Sequence, residues 1–91
     1  MTMMKLPGEE FIEEGLSDLR SGHETIASLL VAIGAPRLRQ LGIDVPEHSL
    51  TSPEHRLYRI LEAENSDSAH SRYNALIGRL VSYENSYKCA A

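Results

Sequence analysis

Ala69, Tyr73, Leu76, Leu80, Tyr83 and Tyr87 recur at alternating intervals of four and three residues, a spacing that an α-helix gathers onto one face. Ile77 and Val81 widen the stripe at its centre. The cluster Asn65-Ser66-Asp67-Ser68 just ahead of it is rich in side chains that cap helix starts. This spacing predicts a helix over about 67–88. In a chain of 91 residues, such an amphipathic helix commits about a quarter of the length and demands further elements to cover its apolar face.

The remaining punctuation points to helices as well. Pro7-Gly8-Glu9-Glu10 opens a segment in which Glu9, Glu10, Glu13 and Glu14 place negative charge where a helix dipole favours it. Ile12, Leu16, Leu19, His23, Ile26, Leu30 and Ile33 follow at alternating spacings of four and three, so the apolar stripe keeps its phase across Gly22. That register favours one helix over about 8–33, bent near Gly22, over two helices parted by a capping box at Ser21 and Glu24. Its second half, Ile26 to Ile33, is apolar nearly all round and is expected to be the most buried piece. Gly34 is placed to stop this helix and Pro36 to start a short one over about 36–41, closed by Gly42. Residues 43–52 read as an extended connection pinned by Ile43, Val45 and Leu50. A medium helix over about 53–64 then buries Leu57, Ile60 and Leu61. Its start is marked by a Thr51/Glu54 capping box or by Ser52 ahead of Pro53. Gly78 in the last helix suggests a close helix–helix approach there. The expected architecture is an all-α small helical bundle forming a single domain over 1–91, with 1–6 disordered.

Composition narrows the classes further. No apolar run approaches the ~18–20 residues of a membrane span, and the first residues lack the apolar stretch of a secretory signal, so a cytoplasmic location is expected. The one cysteine, Cys89, can form neither an internal disulfide nor a thiolate metal cage.

Chemistry-bearing patterns are sparse. His23, His48, His55 and His70 include no His-x-x-x-His pair, so no metal site is expected, and neither a catalytic set nor a cofactor motif is present. The densest polar cluster is Ser66, Ser68, His70 and Arg72 at the start of the last helix, where free backbone N–H groups suit an anion or phosphate. Simple capping accounts for the same serines. A helix-turn-helix over 26–43, presenting Arg37 and Arg39, offers a DNA-binding alternative. Charge argues against nucleic acid: residues 1–45 carry four basic and seven acidic side chains, and residues 46–91 carry five and six.

Size favours association instead. A 26-residue helix would be about 39 Å long, whereas a compact chain of this length is roughly 30 Å across. The overhang suggests a homodimer in which Tyr73, Leu80, Tyr83 and Tyr87 form the interface, tyrosine joining apolar area to a polar tip. The expected function is a non-enzymatic, self-associating interaction or regulatory module with a protein partner of unspecified identity. DNA binding and anion binding stand behind it as alternatives.

Overall fold

The computed structural model describes residues 8–47 and 50–90, which form four helices: α1 (Glu9–Ser21), α2 (Ile26–Gln40), α3 (Pro53–Glu64) and α4 (Ala69–Ala90). The chain is thus an all-α bundle, as its periodicity predicts. The expected disorder of 1–6 and the position of His48 lie outside the described residues.

Helix α2 is the hub, with α1, α3 and α4 each packed against it and α4 packed also on α3. Its composition explains the position. Ala27, Ser28, Leu29, Leu30, Val31, Ala32, Ala35 and Leu38 are all buried, as a helix apolar on nearly every side must be. Around it, Ile12, Leu16 and Leu19 of α1, Leu57 and Leu61 of α3, and Ala69, Leu80 and Tyr83 of α4 complete the core. The α4 stripe keeps its predicted register, with Tyr73, Leu76, Ile77 and Tyr87 half-buried against the same core, but Val81, expected to widen it, is exposed.

The first helix differs from its expected extent. Instead of one bent rod over 8–33, two helices meet at a four-residue connection. Gly22 adopts φ 77°, and the N–H groups of Gly22 and His23 donate to the carbonyls of Leu19 and Asp18 at 3.1 and 2.8 Å, ending α1. The capping box is formed by Thr25 and Ser28, not by Ser21 and Glu24. The Ser28 N–H donates to Thr25 Oγ1 at 3.1 Å, and the Thr25 N–H donates to Ser28 Oγ at 2.7 Å. Thr25 Oγ1 also donates to Asp18 Oδ2 at 2.7 Å, tying the start of α2 back to the end of α1. His23, assigned to the apolar stripe by spacing, lies exposed in this connection.

A second boundary moves for a related reason. Gly34 does not stop α2, and Pro36 sits inside it as an exposed residue. Proline withholds one helical donor. Even so, Val31, Ala35 and Leu38 continue the buried face, and Leu38 is fully enclosed, so core packing carries the helix through its last turn. Gly42, at φ 94°, closes the segment as expected, while Ile43 N–H donates back to Leu38 O at 3.0 Å. The non-helical stretch that follows is held by buried Val45 and by Arg39, whose guanidinium donates to the carbonyls of Val45 and Pro46 at 3.1 and 3.2 Å. Ser52 takes the N-cap position with Pro53 opening the helix, as the second of the two expected starts has it, although its side chain makes no cap bond; the Thr51/Glu54 box is not the start used.

Close approaches between helices occur at two glycines, neither of them Gly78. A Cβ on Gly15 would lie 2.3 Å from the Ala27 carbonyl oxygen and 2.5 Å from Val31 Cγ2. One on Gly34 would lie 2.7 Å from Leu80 Cδ1. At Gly78 nothing comes within 4 Å, and the residue is exposed.

Candidate functional site

Helices α1 and α4 meet at one end, where Gly8 abuts the Arg79 backbone and the Arg79 guanidinium lies 5.9 Å from the centre of the Phe11 ring. From there a groove of about 680 Å³ opens along the bundle. Its walls are α1 (Phe11, Glu14, Asp18) and α4 (Arg72, Ala75, Leu76, Arg79). The start of α2 (Glu24, Thr25, Ile26, Ala27) and the end of α3 (Ile60, Glu64) complete the lining. The lining is amphiphilic. Phe11, Ile26, Ile60 and Leu76 are half-buried apolar side chains, whereas Glu14, Glu24, Glu64 and Arg79 are exposed.

Several of these charges already have partners within the chain. Arg72 Nη1 lies 2.7 Å from Glu64 Oε1, and Arg56 Nη1 lies 3.1 Å from Glu24 Oε1. Both pairs are solvent-exposed, so each contributes at most about 1 kcal/mol to stability. Their larger effect is to fix where charge stands around the groove.

The proposed anion cluster is not brought together as a site. Asn65 Oδ1 accepts from the N–H groups of Asp67 and Ser68, at 3.0 and 3.3 Å. Ser68 Oγ donates to the Asn65 carbonyl at 3.5 Å, and Ser66 is exposed in the turn. His70 Nε2 faces Asn74 Nδ2 at 3.2 Å, and Arg72 turns toward Glu64. Ser68 is engaged by the turn, His70 by Asn74 and Arg72 by Glu64, and Ser66 is left with its side chain exposed.

The helix-turn-helix is corrected by the continuity of α2: residues 26–40 form one helix, so the turn ahead of Arg37 does not exist. Arg39 is tied to the Val45 and Pro46 carbonyls, and Arg37 faces Glu84. The interface tyrosines divide. Tyr83 and Leu80 are buried inside the chain's own core, leaving Tyr73 and Tyr87 half-buried. Tyr73 packs against Tyr58 with ring centres 5.6 Å apart, and Tyr87 against Tyr83 at 6.0 Å. The overhang that favoured a dimer also loses its premise, because no helix spans 8–33. The molecule measures 40 × 27 × 23 Å, its long axis near the roughly 33 Å that 22-residue α4 requires.

Two features were not anticipated from spacing. Glu84 of α4 is buried against Gly34 of α2, whose added Cβ would come within 3.3 Å of Glu84 Oε2. Burial raises its carboxyl pKa, partly opposed by the nearby Arg37 guanidinium. Burial likewise raises the Tyr83 hydroxyl, with Tyr87, Glu9 and Glu13 adding to the effect, and keeps it neutral. The other feature is the groove itself. Its only trace in the sequence is Phe11, an aromatic residue beside the Ile12/Leu16/Leu19 stripe on a face it shares with Glu14 and Asp18.

Among the described residues no three His, Cys, Asp or Glu side chains gather as a metal site, and no helix is long and apolar enough to cross a membrane. Fold and site define a four-helix all-α domain with an amphiphilic groove between its first and last helices. Comparisons with models of known families, with curated proteins and with solved structures returned no match.

Proposed function

We propose that this protein is a non-enzymatic interaction module that takes a helical segment of another protein into the groove between α1 and α4. A single observation carries the reading. Phe11, Ile26, Ile60 and Leu76, contributed by all four helices and each half-buried, converge on one open cleft of about 680 Å³. Apolar surface gathered in a concave strip between helices matches the way amphipathic helices are received, with anchors at i, i+3, i+4 and i+7. The occupant is a foreign segment because a helix that fills the groove must display an apolar face. The helices of this chain turn theirs inward.

The test is a titration of isotope-labelled protein with a short helical peptide carrying leucine on one face and glutamine on its flanks. Backbone shifts are expected at Ala27, Ile60 and Ala75. Ala75→Trp, which places an indole into the groove from an exposed position, should weaken binding about tenfold or more while leaving the unfolding midpoint nearly unchanged. Shifts confined to other faces, or equal binding by the tryptophan variant, refute the assignment.

A further inference from the structure

The charges around the groove are unequally committed. On the α4 wall, Arg72 is held by Glu64 at 2.7 Å, and Arg79 lies over the Phe11 ring at 5.9 Å. On the α1 wall, Glu14 and Asp18 stand four residues apart and so share a helix face. Glu14 is exposed and has no ion-pair or hydrogen-bond partner among the described residues, and Asp18 accepts from one hydroxyl, that of Thr25 at 2.7 Å. Arg79 keeps its charge on the α4 wall, but the lining holds four carboxylates (Glu14, Asp18, Glu24, Glu64) against two guanidiniums (Arg72, Arg79), and the unpaired negative charge lies along α1.

We infer that the groove selects an amphipathic helix whose apolar face is flanked by lysine or arginine, a selectivity that rests on the groove being a docking surface. The basic flank lies along α1, where each cation meets Glu14 or Asp18. The leucine-like face covers Ile26, Ile60 and Leu76. An acidic flank in the same place would oppose like charges beside apolar surface, where water screens them poorly. The chain's formal charge of −4 acts in the same direction, steering a cationic segment toward the protein before contact. A second copy of this chain suits the groove poorly, being acidic itself and presenting no exposed apolar helix face among the described residues.

Two synthetic peptides of matched helicity, with the same leucine face but lysine or glutamate flanks, test this on the full-length protein. Fluorescence anisotropy should show the lysine peptide binding about tenfold tighter at low salt, an advantage that shrinks toward parity at about 0.5 M salt as screening shortens. Glu14→Lys, an exposed change with no internal partner to lose, should reduce the lysine peptide's advantage by about threefold or more. Equal affinities for the two peptides overturn the charge selectivity and leave the docking surface standing. If neither peptide shifts groove residues, both fail together. A sedimentation mass of two chains, with the groove protected from exchange in the absence of peptide, makes a second copy the occupant and overturns the inference.

Discussion

Glycine illustrates at the scale of single residues how the same side chain serves opposite ends. Gly15 is required by contact: the Ala27 carbonyl, 2.3 Å from where its Cβ would be, is backbone and cannot swing aside. Gly78 has open space around it and carries only the entropic penalty of glycine in a helix. Gly78→Ala should therefore stabilise the protein by about 0.5–1 kcal/mol. Gly15→Ala should destabilise it by about 1–3 kcal/mol, because helix propensity is outweighed by the separation forced on α1 and α2. Urea midpoints at unchanged slope measure both. A destabilised Gly78→Ala would show that this position packs against something after all. Spacing in the sequence reveals where a glycine stands in a helix but not what faces it, which is why Gly78 drew the close approach that Gly15 and Gly34 make.

Thr25 decides how the elements are divided. Across Gly22 the apolar stripe keeps its phase, yet the chain folds back because Gly22 takes a left-handed conformation and Thr25 and Ser28 satisfy the first donors of α2. The box leaves a weak mark in the sequence because serine, not glutamate or glutamine, fills its third helical position. Phase continuity also proved a weak guide. Two helices packed face to face each need an apolar stripe, and a four-residue connection can preserve the count by coincidence. Thr25→Ala should cost about 1–2 kcal/mol, since it removes an acceptor for Ser28 N–H together with the bond to Asp18. Thr25→Ser, which keeps the hydroxyl, should recover most of that loss. Alanine and serine variants of equal thermal midpoint would remove the box from the account of this turn. At the other end of α2, Gly34 and Pro36 carry the marks of a helix boundary, but burial of Leu38 outweighs them.

At the scale of the whole molecule, stability and pH are linked through Glu84, where α4 meets α2. Its carboxyl pKa lies above the ordinary value, mainly through desolvation, so the folded state holds this proton more tightly than the unfolded chain does. The contribution is fully present below the unfolded pKa of about 4.5 and is lost as pH rises through the higher folded value. Glu84→Gln should accordingly raise the melting temperature at pH 7 and flatten the dependence of stability on pH above about 4.5. A melting temperature that falls at pH 7 would mean that attraction to Arg37 outweighs desolvation. Beyond this one group, the sequence determined by itself that the fold is all-α, that Ile26 to Ile33 is its most buried segment, and that Ala69, Tyr73, Leu76, Leu80, Tyr83 and Tyr87 share one face of the last helix. Those properties follow from apolar periodicity and turn chemistry, which act within a few residues. Only the tertiary structure decided that the first helix is two, that the interface tyrosines pack within the chain, that Ser68, His70 and Arg72 each find a partner inside it, and that α1 and α4 part to leave a groove. The physical reason is that periodicity specifies which face of a helix avoids water but not which neighbour covers it, nor where two neighbours fail to meet.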